Sequence, residues 1–166
     1  MKPLYALFIM LMVLMSCKSS KQTTVITKKK DLPKVTETNQ VADAVVNNAR
    51  VYNGVRYQYG GTTRRGMDCS GLIYVSFKKE DILLPRISRD MAKKGKEVQL
   101  NKVEKGDLLF FKTNKSRNVI NHVGLVTKSK KGEIEFIHAT SSRGVITSTL
   151  DERYWYRAFV KAKRIL

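Results

Sequence analysis

Cysteine and histidine are almost absent from this chain. Its 166 residues include two cysteines, Cys17 and Cys69, and two histidines, His122 and His138. Zinc sites usually contain a close pair of ligands such as Cys-x-x-Cys or His-x-x-x-His, and the sequence has neither pattern. Cys69, the two histidines and Asp68 could in principle supply four ligands, but their wide spacing fits a catalytic thiol with a base better. We therefore predict no metal and no cofactor.

Acidic residues are also scarce, with 14 Asp and Glu against 32 Lys and Arg and a formal net charge of +18. A basic surface concentrates anionic polymers by long-range attraction. Nucleic acid is one such polymer, but the sequence has no helix-turn-helix, zinc-finger or aromatic-glycine RNA-binding motif, so we predict no nucleic-acid partner. A different anionic polymer, or a plainly solvated basic surface, accounts for the charge.

The N-terminal apolar run is too short to span a bilayer. Leu4 to Met15 follows Lys2, which is typical of a secretory signal. The run ends in Leu14-Met15-Ser16-Cys17, which resembles the bacterial lipoprotein signal, where a small residue precedes a lipid-modified cysteine. We predict a lipoprotein signal peptide over residues 1–17 with lipidation at Cys17, the alternative being an ordinary thiol within the signal. A lipidated Cys17 leaves Cys69 without a disulfide partner.

Residues 18–40 lack apolar periodicity and are rich in Lys, Ser, Thr and Gln. Such composition is typical of a flexible segment, so we predict a disordered basic tether. Residues 41–166 are long enough for one domain with its own core, and we expect this domain to be a monomer.

The domain begins with helical patterns and continues with strand patterns. Apolar residues recur at steps of three and four from Val41 to Tyr52, and Gly54 follows as a stop, which predicts an amphipathic helix. A second, buried helix is predicted to open near Cys69, and a short one near Ile87. Five strands are predicted at residues 108–111, 122–127, 134–139, 145–150 and 159–165. Helices followed by an antiparallel sheet indicate an α+β fold.

The string Asp68-Cys69-Ser70-Gly71 places a thiol at a predicted helix N-terminus, where Asp68 can act as the cap. Free backbone N–H groups and the helix dipole favour a thiolate there, so we expect a lowered pKa for Cys69. The same N–H groups can stabilise a developing oxyanion. Together with the histidine of Asn121-His122-Val123-Gly124, this arrangement predicts a thiol nucleophile and its base.

Five ordered motifs resemble the NlpC family of papain-like cell-wall cysteine peptidases. The resemblance runs from about Val45 to Leu166, and the segments after His138 look most like the Spr-type murein endopeptidases. It implies a papain-like fold with N-terminal helices packed on a central antiparallel sheet of about five strands. The motifs are Asp68-Cys69-Ser70-Gly71, Leu84-Pro85-Arg86, Gly106-Asp107-Leu108-Leu109-Phe110-Phe111, His122-Val123-Gly124 and Phe136-Ile137-His138-Ala139.

The resemblance also implies roles for individual residues. Cys69 is the expected nucleophile, His122 the general base and acid, and His138 the residue that orients the His122 ring. The resemblance implies that Tyr57 helps at the oxyanion or positions substrate. It implies as well that Asp68 and Ser70 line the substrate cradle. The structural alternatives are a strand-end role for His138, core packing for Tyr57 and a helix cap alone for Asp68.

The predicted function is that of a lipid-anchored peptidoglycan endopeptidase that hydrolyses the D-alanyl to diaminopimelate cross-link. The resemblance implies this bond, because many family members that cut the D-γ-glutamyl to diaminopimelate bond carry SH3-like domains that close the site. We expect no such domain here and a more open cleft, and the Spr-like segments after His138 favour the cross-link as well. Hydrolysis of the D-γ-glutamyl to diaminopimelate bond and a catalytically dead wall-binding lipoprotein are the alternatives. Lys18 is not the aspartate that retains lipoproteins at the inner membrane, so the expected location is the outer membrane, facing the periplasm.

Overall fold

The computed structural model describes residues 34–114, 116, 118–130 and 132–166. The predicted signal peptide, Cys17 and residues 18–33 of the predicted tether lie outside this part of the chain. Within the described ranges, no helix combines the length and apolar character needed to cross a membrane.

The described residues form four α-helices and one short 3₁₀ helix, and the three predicted helices are among them. The bounds are α1 Lys34–Arg50, α2 Cys69–Lys78, α3 Ser88–Met91, the 3₁₀ turn Leu100–Lys102 and α4 Arg153–Ala158. Helix α1 begins at Lys34 and not at Val41, so residues 34–40 belong to a helix and the predicted tether boundary at residue 40 is corrected. Apolar periodicity marks only the packed part of a helix, whereas these first turns are polar, with Glu37 placed favourably for the helix dipole.

A six-stranded sheet forms the centre of the domain, and all of its strand pairs are antiparallel. Its spatial order is β3-β8-β4-β5-β6-β7, and a separate two-stranded ribbon is formed by β1 and β2. The strands are β1 Thr62–Thr63, β2 Gly66–Met67, β3 Lys96–Val98, β4 Leu108–Phe111, β5 His122–Lys130, β6 Glu133–Thr140, β7 Gly144–Thr149 and β8 Phe159–Arg164.

The α+β prediction is confirmed, and all five predicted strands are found close to their expected bounds. The sixth, β3, was not predicted. It has three residues, two of them charged and exposed, so it lacks the apolar alternation by which a strand is recognised. Strand β3 exists because β8 offers it a pairing edge.

Both faces of the sheet are covered, which explains why β4 reads as four consecutive apolar residues. All four of its side chains are buried, as in strands packed on two sides. Leu108 and Phe110 join the core formed with α1 and α2, while Leu109 and Phe111 join a second core with Trp155 of α4.

A buried carboxylate ties the C-terminal strand to the start of β4. Both Asp107 oxygens accept hydrogen bonds from Arg164, at 2.8 Å from Nε and 2.9 Å from Nη2. The backbone N–H of Glu104 also donates to Asp107 Oδ2 at 2.8 Å. Asp107 is 1% exposed, so these bonds replace the water that it would bind in the unfolded chain.

We expect Asp107→Asn to lower the free energy of unfolding by about 2–3 kcal/mol, because it removes the buried charge that Arg164 binds and leaves Arg164 only its exposed partner Glu104. Asp43→Asn is the matched control, since Asp43 pairs with Lys105 at the surface and should change stability by less than about 1 kcal/mol. Urea unfolding of both variants measures the two effects. Equal losses would show that the Asp107 contact adds nothing beyond a surface ion pair.

Candidate active site

The predicted nucleophile lies where the sequence placed it, at the first residue of α2. Asp68 caps the helix, and its Oδ1 accepts the Gly71 N–H at 2.6 Å. Cys69 is 8% exposed and lines two adjoining cavities of about 410 and 690 Å³. Cys69 is the only cysteine among the described residues, and its thiol forms no disulfide bond.

The expectation of a lowered thiol pKa is wrong for the unliganded protein. Burial raises the pKa of Cys69 to about 11, and the nearby Asp68 charge adds to the rise. Hydrogen bonds from the backbone N–H groups of Val123, Ser70 and Cys69 itself act in the opposite direction but do not outweigh burial. Removal from water destabilises the charged form of an acid, and here this effect exceeds the benefit of the helix N-terminus.

The two histidines lie on neighbouring strands and contact each other. His122 is the first residue of β5, His138 lies within β6, and their Nε2 and Nδ1 atoms are 2.9 Å apart. Val123, the residue after His122, directs its N–H at the Cys69 sulfur. Cys69 and His122 also line the same 410 Å³ cavity, so the fold brings the predicted nucleophile, base and orienting residue together.

Burial keeps both imidazoles neutral. It lowers the pKa of His122 to about 4 and lowers that of His138 further, with the charges of His122 and Arg143 contributing to the second shift. A neutral His122 that donates from Nε2 to His138 Nδ1 carries no proton on Nδ1. That tautomer makes Nδ1 the basic nitrogen.

Trp155 packs against both histidines, a contact that the sequence alone does not predict. Its ring stacks on His122 at 5.2 Å with an interplanar angle of 22°, and meets His138 edge to face at 4.5 Å and 82°. Phe111 and Phe136 complete the aromatic surroundings. His138 Nε2 has no hydrogen-bond partner among the described residues, and aromatic rings pack around His138. The one signal for Trp155 in the sequence is that it is the only tryptophan of the chain.

Asp68 is more than a helix cap. Burial acts to raise its pKa, but hydrogen bonds from Arg86, Gly71 and Gly60 and the Arg86 charge together lower it. Arg86 donates to both Asp68 oxygens, at 2.9 and 2.8 Å, and to Ser70 Oγ at 2.9 Å. Arg86 belongs to the Leu84-Pro85-Arg86 motif, but the sequence alone does not predict its contact with Asp68. The network fixes the loop at residues 60–61 against the start of α2.

Tyr57 lies at the junction of the two cavities. It lines both of them, as do Cys69 and Asn121, and it is partly exposed and packed against the main core. Burial raises the pKa of its phenol, and the Cys69 and Asp68 charges raise it further, so Tyr57 remains a hydrogen-bond donor at neutral pH. Asp68 and Ser70 line only the larger cavity.

The glycines of the two motifs permit close packing at the site. A Cβ at Gly71 would clash with the carbonyl oxygen of Gly61, and one at Gly124 would clash with the ring of Phe136. Both positions bring a neighbouring element close to Cys69 or to the histidine pair. Among the described residues, no group of three or more His, Cys, Asp or Glu side chains is arranged to hold a metal ion.

Comparison with known families gives one match, to the NlpC/P60 family over residues 54–164. The chain belongs to the NlpC/P60 family. The matched range includes every residue of the site, from Tyr57 to Trp155. The chain is a cysteine-type peptidase of a family that hydrolyses peptidoglycan, which confirms the predicted family and enzyme class.

Curated relatives include two proteins of Escherichia coli K12. The "Probable endopeptidase NlpC" is 41% identical over 115 residues, which cover 69% of this chain and 71% of the relative. The "Murein DD-endopeptidase MepS/Murein LD-carboxypeptidase" is 35% identical over 116 residues, which cover 69% of this chain and 58% of the relative.

Solved structures of the family share the fold. An NlpC/P60 family protein from Bacillus cereus ATCC 10987 superimposes with a TM-score of 0.68 at 28% identity, covering 75% of this chain and 40% of that one. A lipoprotein-like NLP/P60 protein from Staphylococcus aureus Mu50 gives 0.67 at 28% identity, covering 77% and 42%. The chain thus spans less than half of either structure's length.

The raised pKa of Cys69 predicts slow alkylation that accelerates with pH. Because thiolate increases tenfold per pH unit below the pKa, the rate with iodoacetamide should rise from pH 6 to 10 without a plateau, whereas a thiolate–imidazolium pair levels off below about pH 7.5. Peptide mass spectrometry separates Cys69 from Cys17, and glutathione serves as the control thiol. A plateau near neutral pH for Cys69 would contradict the neutral pair.

Removal of the Trp155 ring should misplace His122. We expect Trp155→Ala to lower kcat by about 10- to 100-fold with a smaller effect on KM, because small displacements of a catalytic group are costly, and Trp155→Phe to restore part of kcat. Tyr156→Ala, which removes an exposed ring from the same helix, is the control. Steady-state kinetics on purified muropeptides measure these values. A change in KM alone, or no rescue by Phe, would argue against positioning.

Proposed function

We propose that the protein hydrolyses peptide bonds of peptidoglycan with Cys69 as nucleophile, His122 as base and acid, and His138 as the orienting residue. The observation that carries this proposal is the 2.9 Å contact between His122 Nε2 and His138 Nδ1. It leaves Nδ1 as the ring nitrogen available to the cavity that His122 shares with Cys69. An oriented base beside a buried thiol is the arrangement that activates a cysteine.

The reaction follows from these positions. His122 Nδ1 takes the thiol proton of Cys69 as the sulfur attacks the scissile carbonyl carbon, and the carbonyl oxygen becomes an oxyanion. Backbone N–H groups at the start of α2, with the Tyr57 hydroxyl, stabilise that oxyanion. His138 Nδ1 accepts the Nε2–H bond of the imidazolium that forms.

Collapse of the intermediate breaks the carbon–nitrogen bond and leaves an acyl thioester on Cys69. The proton held on His122 Nδ1 goes to the departing amine. Water then enters, His122 takes its proton, and the resulting hydroxide attacks the thioester carbonyl. Release of the carboxylic acid product returns the proton to the Cys69 sulfur.

The two cavities that meet at Cys69 favour an endopeptidase. Tyr57, Cys69 and Asn121 line both of them, so a peptide crossing the nucleophile can be contacted on both sides of its scissile bond. We assign the D-alanyl to diaminopimelate cross-link as the bond, in line with the DD-endopeptidase activity in the name of the E. coli relative. The γ-glutamyl bond ranks second, since a Bacillus subtilis "Gamma-D-glutamyl-L-lysine dipeptidyl-peptidase" is 36% identical over 98 residues.

We propose further that the domain is a monomer held at the outer membrane, facing the periplasm, by lipid on Cys17. This part depends on the sequence alone. A wall-binding protein without activity is the remaining candidate, and the complete set of Cys69, His122 and His138 argues against it.

Purified muropeptide dimers distinguish the candidates. Mass spectrometry of dimers incubated with the protein should reveal intact tetrapeptide monomers, and Cys69→Ala should abolish them by a factor of at least about 10³ while dimers still bind. Disaccharide-dipeptide products would establish the γ-glutamyl bond instead. Binding of dimers by the wild type without any cleavage would establish the inactive wall-binding protein.

A further inference from the structure

Arg143 places a positive charge on the side of the nucleophile where the leaving amine departs. It is exposed, and it lines the 410 Å³ cavity together with Cys69 and His122. Among the residues lining that cavity, it is the one Arg or Lys within the described part of the chain. None of the ion pairs between described residues uses its guanidinium. In the larger cavity, Arg86 pairs with Asp68, and Arg89 lies in the lining without an ion pair among the described residues.

The turn that carries Arg143 is fixed on both sides. Its backbone N–H donates to Thr140 Oγ1 at 3.1 Å, and the Thr140 hydroxyl donates to the Gly144 carbonyl at 3.3 Å. Val145 N–H donates to the Val55 carbonyl at 2.8 Å. Gly144 has a φ of +68°, and a Cβ there would clash with that same carbonyl, so the turn lies tightly on the segment that leads to Tyr57.

The lining of the cavities identifies the leaving side. In a thiol peptidase the histidine that took the proton delivers it to the departing amine, so the residue bearing that amine must lie beside His122. The 410 Å³ cavity includes His122 in its lining, and the 690 Å³ cavity does not. The leaving residue therefore occupies the smaller cavity, where Arg143 lies.

The charges around Arg143 favour an anionic group in the smaller cavity. Arg143 is close enough to the histidine pair to lower the pKa of His138. Glu152 also lines the cavity, but its Oε1 accepts the Thr149 N–H at 3.0 Å, so it is held at the start of α4. A guanidinium without a partner binds a carboxylate through two parallel hydrogen bonds.

We propose that Arg143 binds the free carboxylate of the residue whose amine leaves. This inference rests on the proposed function. In a D-alanyl to diaminopimelate cross-link, the leaving amine is attached to the D-centre of diaminopimelate, and the same carbon carries an unblocked carboxylate. Arg143 therefore selects cross-links whose diaminopimelate is a free acid over those in which this carboxylate is an amide.

Paired substrates test the selection directly. Muropeptide dimers with the D-centre carboxylate free or converted to the carboxamide are incubated with wild type, Arg143→Gln and Arg143→Lys. Wild type should have a kcat/KM at least about tenfold higher for the acid, because a charge-assisted bidentate contact is lost with the amide. Arg143→Gln should lower the acid-to-amide ratio of kcat/KM to about one, and Arg143→Lys should keep part of the preference.

A charge-matched control separates a charge in the cavity from the overall charge of the protein. Arg157→Gln removes an equal charge from α4 outside the cavity lining, so its acid-to-amide ratio should equal that of wild type. Equal rates of wild type on the two substrates, or an equal loss on both in Arg143→Gln, would overturn the proposal.

The bond cut, read by mass spectrometry, tests the proposed function independently. If the γ-glutamyl bond is cut instead, the bond assignment fails. In that case, if Arg143→Gln abolishes the preference for the acid substrate, the carboxylate site is still supported. If Arg143→Gln leaves that preference unchanged, the carboxylate site is overturned.

Discussion

The hydrogen bond between His122 and His138 is the contact on which the site depends. It joins two buried rings on neighbouring strands at 2.9 Å, and it decides which nitrogen of His122 faces the cavity. In the tautomer in which His122 Nε2 donates to His138, Nδ1 carries no proton and is the basic nitrogen. The aromatic rings around the pair exclude water, which keeps both histidines neutral and makes the geometry of the bond matter more.

The nucleophile is held by a second, electrostatic network that is separate from the first. Asp68 caps α2 and accepts a hydrogen bond from Arg86 on each of its two oxygens, and Arg86 also donates to the Gly61 carbonyl, so the first turn of the helix is tied to the loop before it. The histidine pair belongs to the sheet and the thiol to a helix. The site exists because two elements with different anchors meet at one end of the sheet, at the Val123 N–H that points to the Cys69 sulfur.

Sequence reasoning placed the elements well because their patterns are local. A cap followed by an apolar helix located Cys69, and strand patterns placed His122 at the start of one strand and His138 within another. It could not locate β3, whose pairing edge comes from β8, or the stacking of Trp155 on His122, because both depend on residues distant in the chain. The expected lowering of the Cys69 pKa is wrong for a related reason. The helix N-terminus can be predicted from sequence, whereas the burial that raises the pKa depends on tertiary structure.

A neutral thiol beside a neutral base is compatible with efficient catalysis, because the reaction rate depends on how well the site stabilises the charges that develop in the transition state. Burial penalises a thiolate and an imidazolium that stand alone, but in the transition state these charges are transient and adjacent to groups already in position. The N–H groups of Cys69 and Ser70 lie at the helix start, and in the proposed mechanism His138 accepts the hydrogen bond of the developing imidazolium. Interactions that strengthen only as charge forms lower the barrier without stabilising the resting state. The same surroundings that raise the pKa of Cys69 therefore favour the reaction once substrate has displaced water from the cavity.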